Sequence, residues 1–138
     1  MVFIIDIILG VLVAILYGVS AFFAKIVANE NPYLQWIVVN MVGAIFCILF
    51  IFKNPEYLSQ LKGTILTYGV ISAVFVIIGS FIFYYALNNG NASIVIPLSS
   101  MSVAITVILA VAFLKETLAF NQLIGIVLIV IGILLLSL

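Results

Sequence analysis

Histidine and arginine are absent from this chain of 138 residues, and cysteine occurs once. Without histidine the imidazole pair of a zinc enzyme is excluded. Cys47 has no second thiol to meet, so neither an intrachain disulfide nor a paired-thiolate metal site can form. It lies inside an apolar run and is expected to be a small buried side chain. Charge is scarce as well, at 6% of residues, with four lysines balanced by four acids. Nothing in that balance makes a basic face for nucleic acid or an acidic tail. A glycine-x-serine-x-glycine elbow, a phosphate-cradling glycine loop and a carboxylate pair within one apolar run are all missing. The chain therefore reads as a non-enzyme that needs no cofactor and no metal.

What is present is hydrocarbon. Apolar residues make up 68% of the sequence, against roughly 45–50% in a soluble domain. So little polar surface cannot cover a protein in water, and the solvent must be lipid. A helical span needs about 20 apolar residues to cross about 30 Å of hydrocarbon. Five segments qualify, at roughly 3–28, 33–52, 64–87, 93–114 and 119–138. The predicted class is all-α: an integral membrane protein with five transmembrane helices in a single domain over residues 1–138. The opening Met1-Val2-Phe3-Ile4-Ile5-Asp6 lacks the basic start and the cleavage site of a signal peptide, so the first run reads as a true span.

The breaks carry local chemistry. Asn31 reads as an N-cap and Pro32 as the first residue of span two. Lys53-Asn54-Pro55-Glu56 repeats that signal and predicts a short interfacial helix to about Leu61, released at Gly63. Asn88-Asn89-Gly90-Asn91 is a turn by composition, and Thr117 is a candidate cap for span five. Short connections make consecutive spans antiparallel neighbours. Lys53, Lys62 and Lys115 fall on one side and Lys25 on the other, which weakly favours a cytoplasmic N-terminus and leaves dual topology open.

Helices in lipid are held by close packing of small residues. Gly10, Ala14 and Gly18 recur on one face, as do Gly69 with Ala73, Ser102 with Thr106 and Ala110, and Gly125 with Gly132. Such faces serve plain helix packing or a surface that slides during a conformational cycle. Polar groups at membrane depth must each be satisfied. Ser80 and Tyr84 share a face of span three; Ser99 and Ser102 lie three apart on span four, beside Ser100 and after Pro97. These groups either line a weakly polar cavity for a small solute or bond back to their own helix carbonyls. Pro97 is either a helix-start proline or the cause of an opened turn. Lys25 either snorkels to the interface or stays buried against a substrate carboxylate or a helix C-terminus.

The run Tyr84-Tyr85-Ala86-Leu87, then Asn91-Ala92-Ser93-Ile94-Val95, Pro97-Leu98 and Phe113-Leu114-Lys115-Glu116-Thr117-Leu118, resembles the drug/metabolite transporter superfamily, in its EamA-type domain. The likeness continues through Asn121-Gln122-Leu123-Ile124-Gly125 and Ile129-Val130-Ile131-Gly132. Tyr17-Gly18 and Lys25 also resemble the opening helix of that family. The last 55 residues or so are the specific part, and the remainder matches in helix count.

The resemblance implies one five-helix unit of a fold that usually pairs two inverted units around a central cavity, similar to the bacterial/archaeal transporter branch. It implies a homodimer, with the antiparallel arrangement favoured, in the inner cell membrane. The expected activity is export of small neutral or zwitterionic metabolites, such as amino acids, by alternating access. The expected substrate contacts are Tyr17, Ser80, Tyr84, Ser99, Ser100 and Ser102, with Lys25 added for a substrate carboxylate. The related small multidrug resistance proteins use a glutamate in mid-helix one. Leu16-Tyr17-Gly18 stands at that depth here, which points away from proton-coupled export of aromatic cations. The competing reading is a non-transporting membrane subunit that assembles with a different chain.

Overall fold

The computed structural model describes residues 2–136, and among these every regular element is a helix. α1 runs Val2–Glu30, α2 Pro32–Lys53, α3 Glu56–Gln60, α4 Gly63–Asn89, α5 Ala92–Ser99, α6 Ser102–Leu114 and α7 Phe120–Leu136. Four apolar helical segments are long enough to cross a bilayer: Ile4–Glu30, Pro32–Lys53, Gly63–Asn89 and Ala92–Leu114. The shorter apolar helix Phe120–Leu136 has 17 residues, or about 26 Å at 1.5 Å per residue, the lower limit for a span. The predicted end of span five at 137–138 lies outside the described residues.

The chain divides into two compact units, residues 1–89 and 90–138. In the first unit α1, α2 and α4 pack pairwise against one another. A single residue separates α1 from α2. Pro32 forces the preceding Asn31 out of the helical region, to φ −159° and ψ 108°. The Asn31 side-chain oxygen then accepts from the backbone N–H groups of Tyr33 at 2.9 Å and Leu34 at 3.2 Å. That is the expected cap, and it folds the two helices back on each other. Helix α4 returns parallel to α1, since residues 25 and 28 of α1 meet residues 87 and 88 of α4 in the same order.

The second cap–proline signal works differently. Asn54 ends α2 rather than opening α3, with its Nδ2 donating to the Phe50 carbonyl at 3.0 Å. Pro55 itself precedes the short α3, over which Tyr57 stacks on Phe50 with ring centroids 5.8 Å apart. Gly63 opens α4 at φ +58°, a left-handed conformation suited to glycine.

In the second unit α5 and α6 each pack on α7. Span four was expected as one helix; it is interrupted at Ser100-Met101. Pro97 has no N–H for the Ser93 carbonyl, and its ring crowds the turn before it. Beyond it the backbone bonds tighten to three-residue spacing, with Ser100 N on the Pro97 carbonyl at 3.0 Å and Met101 N on the Leu98 carbonyl at 3.1 Å. The opened turn thus lies just beyond Pro97, where the Ser100 N–H also reaches the Ile96 carbonyl at 3.2 Å. Thr117 is not the cap of α7: the Gln122 side-chain oxygen accepts from Ala119 N at 2.9 Å, which makes Ala119 the cap position.

Along the small-residue faces, a Cβ added at Gly10, Gly18, Gly69, Gly125 or Gly132 would meet nothing within 4 Å. These glycines do not serve close packing against other described residues. Cys47, expected to be buried, is exposed on α2.

Candidate functional site

The polar chemistry of the first unit gathers toward the C-terminal ends of α1 and α4. Parallel helices place two sets of orphan carbonyls, and two negative dipole ends, side by side. Each helix satisfies the other. The Lys25 ammonium on α1 donates to the Leu87 carbonyl of α4. Asn88 Nδ2 on α4 donates to the Ala28 carbonyl at 2.7 Å and the Asn29 carbonyl at 3.3 Å. Ala24, Ala28 and Leu87 are buried around this clasp. Between the two readings of Lys25, the geometry favours the helix C-terminus over the free interface.

Further along α4, α2 meets one of the two polar groups predicted there. Gln35 and Tyr84 are 9% and 8% exposed. Trp36 Nε1 donates to Ser80 Oγ and to the Ile77 carbonyl, both at 3.2 Å. Ser80 in turn donates its own hydroxyl to the Ile77 carbonyl at 3.0 Å. Phe81 packs 5.7 Å from the ring centroids of both Tyr33 and Trp36.

Lys25, Ser80 and Tyr84 therefore belong to one polar array in the first unit. Tyr17 does not: it is 74% exposed on α1, two turns before Lys25. Ser99, Ser100 and Ser102 flank the broken turn of the second unit and are exposed. Ser99 Oγ donates to the Ile96 carbonyl at 2.7 Å and Ser100 Oγ to the same carbonyl at 3.1 Å. These two hydroxyls bond back to their own helix, as one of the two readings of the serines anticipated.

The sequence reading passed over Gln35 and took Asn88 only as a turn residue. A signal for Gln35 existed, because it is an amide inside an apolar span beside the single tryptophan. Asn88 carries no such signal, since its function arises only where α1 comes to lie beside it. The second unit also has a groove of about 550 Å³ between α6 and α7, lined by apolar side chains such as Ala104, Val111, Leu123 and Val130. It holds none of the predicted contact residues. No group of three or more metal-ligating side chains occurs among the described residues.

The sequence profile of the EamA-like transporter family matches residues 4–138. The chain is also 60% identical over 131 residues to an uncharacterized protein of Methanocaldococcus jannaschii, covering 95% of each chain. No solved structure matches it. With four long apolar helical segments, a fifth shorter one and a family match along nearly its whole length, the chain is a multi-pass membrane protein that belongs to the EamA-like transporter family.

Proposed function

We propose that the protein is a carrier that exports small neutral or zwitterionic solutes, such as amino acids, as a homodimer working by alternating access. The family match over residues 4–138 carries this reading. Substrate class is argued from side-chain chemistry. Ser80, Tyr84, Ser99, Ser100 and Ser102 offer hydroxyls, Tyr17 adds an exposed phenol, and Lys25 supplies the one cation of α1 for a carboxylate. No acid stands in the middle of α1 to receive a cationic drug or a coupling proton.

A second copy is supported by the open faces at Gly10 and Gly18, which have the small-residue character of helix–helix contacts in lipid. In this reading all five apolar segments cross the cell membrane, and the thin lysine bias, three on one side against one on the other, permits an antiparallel pair.

The test is uptake of radiolabelled amino acids into proteoliposomes. Saturable uptake that falls with Tyr84→Ala and with Ser99→Leu is expected. Uptake unchanged by both substitutions would remove these residues from the path. No uptake by the purified chain, together with co-purification of a different membrane protein, would instead make it a subunit.

A further inference from the structure

We infer that Trp36 is a positioning residue for solute recognition, holding Ser80 in a defined hydrogen-bonding state. The inference rests on the carrier reading and deepens it at the same array. Trp36 on α2 reaches across to Ser80 on α4. A serine hydroxyl has one proton to give and two lone pairs. At Ser80 the proton goes to the Ile77 carbonyl and one lone pair takes the Trp36 N–H. What Ser80 has left is acceptor capacity, so it presents an oxygen to the N–H of a solute and repels a carboxylate. An unclamped serine would rotate to suit either. The indole N–H therefore selects for the amino end of a zwitterion at this point.

Trp36 is the single tryptophan of the chain, so its emission reports on its own hydrogen bond. Full-length protein in nanodiscs is titrated with a panel of zwitterionic amino acids, and uptake of the same panel is measured in proteoliposomes. An amino acid that is taken up is expected to shift the tryptophan emission saturably, and Ser80→Ala is expected to abolish that shift. Trp36→Phe is expected to raise the KM of uptake about 3- to 10-fold, the worth of one hydrogen bond, with the maximal rate little changed. In the Ser80→Ala background the same substitution should add nothing.

Uptake without any emission change, or KM losses that simply add in the double variant, would overturn the positioning role and leave the carrier reading intact. Uptake of no panel member would overturn the amino-acid carrier reading, and the inference with it. A purely structural role would lower the yield and melting temperature of the single variants while leaving the KM of the surviving protein unmoved.

Discussion

Lys25 shows how one charged side chain inside an apolar helix can serve the fold. Its ammonium sits where two parallel helices end, and its bond to the Leu87 carbonyl offsets both negative ends. Replacing it with methionine keeps the aliphatic stem and removes the donor. Lys25→Met is expected to lower stability by about 1.5–3 kcal/mol, the range for hydrogen bonds to charged groups, as read by thermal unfolding in nanodiscs. Asn88→Ala removes the reciprocal bond and is expected to cost about 1 kcal/mol. If Lys25 also meets a substrate carboxylate, Lys25→Met will raise the KM for a zwitterion but not for its amide. Asn88→Ala will change neither KM.

At the scale of elements, the departures from regular helix are local and have named causes. The fourth apolar segment divides into α5 and α6 just beyond Pro97. Pro97→Ala is expected to restore one continuous helix, slowing amide hydrogen exchange at residues 99–103 and reducing uptake. Unchanged exchange there would place the cause of the break elsewhere. At the end of α6, Lys115 is the one non-glycine with positive φ among the described residues, at 57°. That conformation costs an L-residue about 1 kcal/mol, so Lys115→Gly is expected to raise stability by about 0.5–1 kcal/mol. Gln122→Leu is expected to lower it by a similar amount through loss of the Ala119 bond, whereas Thr117→Ala should be near neutral.

For the molecule as a whole, orientation in the membrane is the decisive property. One cysteine appended to the C-terminus in a Cys47→Ala background, labelled in intact cells with an impermeant maleimide, reads it directly. An antiparallel homodimer predicts labelling of about half the molecules before permeabilisation, because the two copies insert in opposite senses. Labelling of all or none would select a parallel pair or a different partner chain.

Composition alone determined that the solvent is lipid, since 68% apolar residues leave too little polar surface for water. The long apolar runs and their punctuation were equally legible, because a cap such as Asn31-Pro32 is a matter of neighbours in the chain. The EamA pattern was readable for the same reason, being carried by contiguous motifs. Three things were decided only by tertiary structure. Lys25 had two environments open to it, and the parallel return of α4 chose the Leu87 carbonyl. Trp36 gained its partner from Ser80, 44 residues away in sequence. Asn88 left the turn for the end of α1, about 60 residues away. In each case a polar group inside hydrocarbon must find a partner, and no local pattern says which helix will bring one.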